Sequence, residues 1–178
     1  MKLTTLDALL IFLVGHKSQS GYDIRQLFQA TPLGMFSDSP GSIYPSLARL
    51  EDRGLLAGST EEGARRRRSY KRTAAGQKAL ITWLERPLER DPRKRRNGEV
   101  ELRFVILADA LGAPRAVKFL DEIDAVYSAQ LREIEAFMAG DGAQMNEASR
   151  AANELGMRTI RLHIEWCREM KKKMGRRS

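Results

Sequence analysis

From Pro114 to Lys173 apolar side chains return every third or fourth residue, with one interruption at the stretch GDGA, residues 140–143. That spacing is the helical period. It predicts two long helices, about 114–138 and 144–173. The first carries Val117, Leu120, Ile123, Tyr127, Leu131, Ile134 and Met138 on one stripe; the second carries Ala148, Ala152, Leu155, Thr159, Leu162, Trp166 and Met170. Both exceed the usual globular helix of about 11 residues. The stretch before them, NGEVELRFVILADAL, is apolar nearly all round and is expected to be buried on several sides, with Gly112 and Pro114 as punctuation. Two long helices with one stripe each, and a shorter one, bury little alone, so a second copy is the economical cover. A homodimer is expected, with Leu102, Val105, Leu120, Ile123, Tyr127, Leu131, Leu155, Leu162 and Trp166 as its surface. The alternative is a compact monomer whose stripes pack on the N-terminal half.

The first half of the chain has shorter elements. A first helix over about Thr5–Val14 is expected to stop at Gly15. Ser20 or a neighbour caps a second, with Ile24, Leu27 and Phe28 inward, ending before Pro32 and Gly34. Met35 and Phe36 are placed to staple the start of a third helix. That helix, within SPGSIYPSLARLEDRGLL, buries Ile43, Leu47 and Leu50 and stops at Gly54, leaving Ser42, Tyr44, Ser46 and Arg49 on its other faces. Pro45 leaves two starts open. With Ser39 as cap and Pro40 first in the helix, Pro45 removes an interior hydrogen bond at a cost of up to ~3 kcal/mol. With a start nearer Ser42, Pro45 lies in the first turn and its missing N–H is harmless. A strand over Leu55–Ser59, a turn at Gly63 and a return from Arg65 to Lys71 or Arg72 follow, read as an edge ribbon projecting from the body. Thr73 caps a fourth helix with Leu80, Trp83 and Leu84 inward.

Charge is divided unevenly. Residues 1–96 hold eighteen Lys/Arg against ten Asp/Glu, whereas residues 97–178 hold thirteen of each, so the whole net charge of +8 lies in the first part. That asymmetry points to a polyanion-binding half and a neutral half, with a basic solvated surface as the plainer reading. The predicted organisation is a DNA-binding domain over 1–88, a basic linker over 89–97, a helical dimerisation and effector domain over 98–174, and a basic, frayed tail over 175–178.

Enzyme classes find little support. No Gly-rich phosphate loop has the required spacing. His16 and His163 lie far apart in sequence with the one cysteine, Cys167, so no metal set is expected. No catalytic residue and no cofactor is assigned. Cys167 reads as a half-buried thiol, and a lone cysteine fits a reducing cytoplasm. No apolar run reaches the ~20 residues of a membrane span. The opening MKLTTLDALLIFLVGH reads as an amphipathic helix rather than a secretory signal.

Three helices followed by a basic two-stranded hairpin is the order of a winged helix-turn-helix. A helix presenting small polar groups and a tyrosine can enter a major groove. A cationic ribbon beside it can follow phosphates, releasing condensed counterions. The ribbon ARRRRSYK supplies Arg65, Arg66, Arg67, Arg68 and Lys71; the helices supply Arg25, Tyr44 and Arg49. The fold class expected is mainly α: a winged helix-turn-helix of three helices and a two-stranded wing, then an α-helical dimerisation domain. The competing reading is an RNA-binding or protein-adaptor module using the basic half.

The segments SGYDI, GSIYPSLARLEDRGLL and SYKRTAAGQKAL, in this order and spacing, resemble the PadR family of bacterial transcription regulators. The second half, through LRFVILADAL and LGMRTIRLHIEWCREM, is similar to the larger helical C-terminal domain of the longer, virulence-activator-type members. The resemblance implies a cytoplasmic dimer whose winged helices bind an inverted-repeat operator on double-stranded DNA. It implies repression relieved by a small, often aromatic or amphipathic effector. It places Tyr22, Gly41, Ser42, Tyr44 and Pro45 at the DNA-facing motif and the hairpin arginines at the wing. The wing departs from the family's Gly-Arg-Pro-like tip, and Phe36 stands near a position where members often carry tryptophan. Phe36, Trp83, Phe104 and Trp166 are the candidate effector-lining aromatics, with burial in the core as the plainer role for each.

Overall fold

The computed structural model describes residues 2–36, 40–60, 67–91, 94–95 and 98–175. The chain divides into two compact units, Met1–Pro87 with Asn97–Leu102, and Leu88–Arg96 with Arg103–Ser178. Most of it is helical.

The first unit begins with α1 (Thr5–His16), whose N-terminus is closed by a reciprocal capping box: Thr4 Oγ1 accepts from Asp7 N–H, and Asp7 accepts from Thr4 N–H. The same box, Ser20 with Asp23, starts α2 (Gly21–Ala30). Short helices of this length are marginal by themselves, so their caps and buried faces decide them. Leu9, Leu10, Ile11, Val14, Ile24, Phe28, Ile43, Leu47, Leu50, Leu80 and Leu84 form the core.

After a 3-10 turn at Pro32–Phe36 and another at Pro40–Ser42, α3 runs from Ile43 to Asp52. Pro45 is therefore its third residue, so the later of the two starts is the one adopted. The helix ends in a Schellman arrangement: Gly54 N–H donates to Glu51 O, Leu55 N–H donates to Leu50 O, and Gly54 takes φ of 67°. Ile43, Leu47 and Leu50 are buried as expected; Ser46 is buried with them. Met35 and Phe36 lie in the 3-10 turn beside Gly98, where a Cβ would come within 2.9 Å of both side chains.

Strands β2 (Leu56–Thr60) and β3 (Arg68–Arg72) pair antiparallel, with Gly58 opposite Tyr70. A third strand, β1 (Gln19–Ser20), pairs on the other side of β3. The return strand is thus central, not an edge, and it buries Ser69 and Tyr70. The two residues of β1 carry no strand period, and only the meeting of α1's exit with β3 creates them. Helix α1 also outlasts Gly15 and ends at His16. Gly15 is not a stop; a Cβ there would overlap the Arg72 guanidinium. The last helix of this unit, α4 (Ala74–Leu84), is capped by Thr73 Oγ1, which accepts from Gly76 N–H. It buries Leu80, Trp83 and Leu84.

Helix α5 (Glu99–Leu111) has its first turn in the first unit and its remainder in the second. It buries Val100, Leu102, Arg103, Ile106 and Leu107 and exposes Val105. The second unit is an antiparallel hairpin of α6 (Ala113–Ala139) and α7 (Glu147–Gly175), joined through a 3-10 turn at Asp141–Gln144. Helix α6 buries Ala116, Phe119, Leu120 and Ile123. Helix α7 buries Ile160, Ile164 and Cys167, which lie off the stripe read from the sequence. Leu155 and Leu162, expected on the dimer surface, are 67% and 63% exposed. Two apolar stripes exist on α7, and the one through Ile160, Ile164 and Cys167 is the buried one. Cys167 is fully buried rather than half-buried. The helix runs to Gly175, two residues past the expected end, and the rest of the expected tail, 176–178, lies outside the described residues. In its last turns the Lys171 ammonium donates to Asp121 and Asp124.

Candidate nucleic-acid interface

The sequence-assigned residues of α2 and α3 meet at one place. Gly21 is the first residue of α2, and the Tyr44 ring lies directly over it: a Cβ on Gly21 would come within 2.6 Å of the ring. The glycine after the cap therefore sets how closely α3 approaches α2. Tyr44 keeps 46% of its surface exposed. Tyr22, next on α2, is 47% exposed, and its hydroxyl accepts from Gln26 Nε2 at 3.0 Å. The Arg67 guanidinium stacks on the other part of this cluster, 5.0 Å from the Tyr22 ring centroid. Arg25 is exposed and has no ion-pair partner among the described residues. Pro45 and Gly41 are also exposed, and Ser42 is half-buried. Two tyrosines, the exposed Arg25 and the stacked Arg67 thus lie near the starts of α2 and α3.

The cap of α2 is electrostatically tuned. Hydrogen bonds from the Ser20 hydroxyl and backbone hold the Asp23 carboxyl below its usual range, with Arg67 and Lys17 adding to the effect. Asp23 stays ionised as the α2 cap, next to the positive end of the helix dipole.

Two assigned arginines are committed elsewhere. Arg49 Nη2 donates to Asp7 Oδ1 at 2.5 Å and to Ser46 Oγ at 3.1 Å. Asp7 is 1% exposed, so this pair ties α3 to the cap of α1. Arg68 grips Glu51 with two bonds, Nε to Oε2 at 3.0 Å and Nη2 to Oε1 at 2.5 Å. Glu51 Oε1 also accepts from Gly58 N–H at 3.0 Å. The end of α3 is thereby fastened to both strands of the hairpin. A Cβ on Gly58 would overlap the Glu51 carboxylate. The Arg68 guanidinium is the main reason Glu51 sits below the usual carboxylate range, and Glu51 in turn raises Arg68. Lys71 is exposed on β3. Arg65 and Arg66 lie outside the described residues.

Glu51, Gly58 and Gly21 were not singled out from the sequence as parts of the site. A signal existed for Gly21, because a glycine at the first helical position spends helix propensity unless something approaches closely. None existed for Glu51, whose partner lies seventeen residues away across a turn.

Of the residues assigned to dimerisation, Leu102, Leu120 and Ile123 are buried within the chain and have no surface left for a partner. Val105, Leu155 and Leu162 are exposed; Tyr127, Leu131 and Trp166 are half-buried. Tyr127 is stacked between the Arg95 guanidinium, 4.6 Å from its centroid, and the His163 ring, 5.0 Å away. Among the effector candidates, Phe104 and Trp166 meet edge to face at 5.1 Å in the second unit. Trp83 is buried in the first unit with Arg86 over its ring at 4.8 Å, and Phe36 is half-buried there. A cavity of about 690 Å³ in the second unit is lined by Arg90, Val126, Ala129, Gln130, Glu133 and Ile134, among others, and by none of these four aromatics. Among the described residues no group of three or more His, Cys, Asp or Glu is placed to hold a metal ion. No helix of the described residues is long and apolar enough to cross a membrane.

Residues 9–82 match the model of the Transcriptional regulator PadR-like family. No curated protein matches the chain. Similar solved structures include Bacillus subtilis PadR in complex with operator DNA, at 18% identity over 96% of this chain and 99% of that one, with a TM-score of 0.46. The Bacillus subtilis PadR complex with p-coumaric acid is similar at 20% identity over 97% and 99%, with a TM-score of 0.44. The protein smu.1704 of Streptococcus mutans UA159 is 30% identical over 46% of this chain and 76% of its own, with a TM-score of 0.37.

Proposed function

Through residues 9–82 the chain belongs to the PadR-like family of transcriptional regulators, and from that membership we propose that it is a homodimeric repressor that binds an inverted-repeat operator and is released by a small ligand. In this reading residues 1–88 bind DNA, 89–97 link, and 98–174 dimerise and receive the effector. The observation that carries the DNA assignment is the cluster near the starts of α2 and α3, where Tyr22, Arg25, Tyr44 and Arg67 stand exposed above a core-facing stripe. The N-terminal end of α3 enters the major groove, because its outward residues are short or flat and leave room for base edges. Arg67, with Arg65, Arg66 and Lys71, neutralises phosphates beside it. Arg49 and Arg68 act by position: each fixes α3 against another element and reaches no base.

The dimer assignment is supported by the outward stripe of α7. Ala148, Ala152, Leu155, Thr159 and Leu162 follow a three-four spacing along an exposed face that nothing else in the second unit covers. Two such stripes from two copies bury each other. For the effector, the cavity between Arg90 and α6 has the mixture of apolar wall and polar groups that suits an amphipathic molecule.

Selection of bound sequences from random duplex DNA tests the whole reading. An inverted repeat whose half-sites lie one helical turn apart, about 10 base pairs, is expected. Bound sequences without symmetry would refute the dimeric operator. Tyr44→Ala is expected to weaken the selected operator about tenfold or more while leaving random duplex nearly unchanged. Equal losses on both would mean that α3 only positions the protein.

A further inference from the structure

We propose that the first unit carries a second anion site, a pocket at the end of α1 that takes a phosphate-type oxyanion. The pocket has a volume of about 300 Å³ and is walled by Gly15, His16, Lys17, Ser18, Lys71 and Arg72. Of these only Lys71 belongs to the residues assigned to DNA.

Strand pairing brings the cations together. β1 lies antiparallel to β3 with Gln19 opposite Tyr70 and Ser20 opposite Ser69. Followed backwards, the same alignment carries Ser18 and Lys17 alongside Lys71 and Arg72. The wall therefore holds three fixed positive charges and a hydroxyl, and it contains no carboxylate. Lys17, Lys71 and Arg72 form no ion pair among the described residues. Asp23 is the acid that senses Lys17, but its Oδ2 accepts from both Ser20 N–H and Ser20 Oγ in the α2 cap. Like charges at such spacing repel, and an anion between them removes the repulsion.

Gly15 is the second observation. It sits in the last turn of α1, where glycine is a poor helix former, and its bare Cα is covered by the Arg72 guanidinium. Any side chain there would push Arg72 out of the pocket wall. The negative end of the α1 dipole accounts for a single nearby cation. It does not account for cations contributed by both the α1 exit and the end of β3. A planar arginine fork, two ammonium groups and a serine hydroxyl are the donors that recognise phosphate oxygens. The volume exceeds one phosphate group, so the remainder of a phosphomonoester or of a phosphodiester backbone fits as well. Both sources offer the same oxyanion.

The test uses the full chain with inorganic phosphate and, separately, a random-sequence duplex. Arg72→Gln and Gly15→Ala are compared with Lys118→Gln, which removes an exposed charge on α6. Calorimetric titration is expected to show saturable phosphate binding in the unaltered protein, at least tenfold weaker in R72Q and in G15A and unchanged in K118Q. G15A keeps every charge, so it decides the matter even if R72Q folds poorly; thermal melts check both. On the duplex, a salt slope lower by about one unit in R72Q identifies the DNA backbone as the source. An unchanged slope with lost phosphate binding identifies a free phosphorylated molecule. No saturable phosphate binding together with an unchanged slope overturns the site, as does an equal loss in K118Q. Only the duplex arm rests on the proposed function. The phosphate titration needs no DNA binding, so failure of one is told apart from failure of the other.

Discussion

In the first unit two carboxylates at helix ends, Asp7 and Glu51, are each held by another element. Asp7 caps α1 and grips Arg49 of α3; Glu51 of α3 grips Arg68 and the backbone of β2. In the second unit the charges form a ladder along one pair of helices, Asp121 and Asp124 with Lys171, Asp124 with Arg168, and Glu135 with Arg161. These pairs set the alignment of α6 against α7 but are mostly exposed, and such pairs contribute ~0–1 kcal/mol each. The outer stripe of α7 remains bare. The first unit is closed on itself, while the second exposes the surface a partner would need. DNA-facing groups are best built on the closed unit, because their spacing then does not depend on the partner.

The strongest way to break this contrast is on the bare stripe. Leu155→Glu with Leu162→Glu changes two side chains that are 67% and 63% exposed, so the helical content is expected to persist. Sedimentation is expected to show a dissociated chain. Operator affinity falls by about 10²–10⁴-fold, the usual worth of linking two binding modules. A dimer that survives both charges would place its interface elsewhere. Leu120→Ala sharpens the same contrast from the inside. Leu120 is fully buried against α7, so its truncation costs about 2–5 kcal/mol in denaturant unfolding. Leu155→Ala is expected to cost the isolated chain under about 0.5 kcal/mol.

The interface between α2 and α3 provides a smaller effect. Gly21→Ala inserts a methyl group within 2.6 Å of the Tyr44 ring. The ring swings away, and operator affinity is expected to drop about tenfold, the worth of one specific contact. Binding to random duplex changes little, because phosphate contacts are untouched. A Gly21→Ala protein with full operator affinity would separate Tyr44 from recognition.

The first unit was legible because its signals are local. The caps Ser20 and Thr73, the stop at Gly54 and the stripe of Ile43, Leu47 and Leu50 each act within a few residues. What was not legible depends on distance. β1 exists only because β3 passes beside it, and the pairing of Arg68 with Glu51 spans seventeen residues. In the second unit, α7 carries two apolar stripes of similar rhythm. The stripe through Leu155 and Leu162 is exposed, and the one through Ile160, Ile164 and Cys167 is buried. Periodicity ranks stripes by hydrophobicity, whereas packing ranks them by fit to the facing helix.

The smallest effect expected concerns the tether between α3 and the hairpin, and pH reads it. Because Arg68 and the Gly58 N–H hold the Glu51 carboxyl below its ordinary value, folding is favoured when Glu51 is ionised. That contribution is complete above the unfolded carboxylate value near 4.5 and is lost as pH falls through the lowered folded value. Glu51→Gln is therefore expected to melt slightly earlier than the unaltered protein at neutral pH, with the two curves converging toward the acid end. The difference is small because Arg68 is half exposed and water screens the pair. On DNA the change has a sign of its own. Releasing Arg68 leaves an extra unpaired cation beside the wing, so random-duplex affinity rises or holds. Operator affinity falls, because the hairpin is no longer fixed to the end of α3. A lower ratio of operator to random binding, measured at one salt concentration, is the signature of a lost tether. Parallel gains on both duplexes would mean that Glu51 does no more than mask a charge.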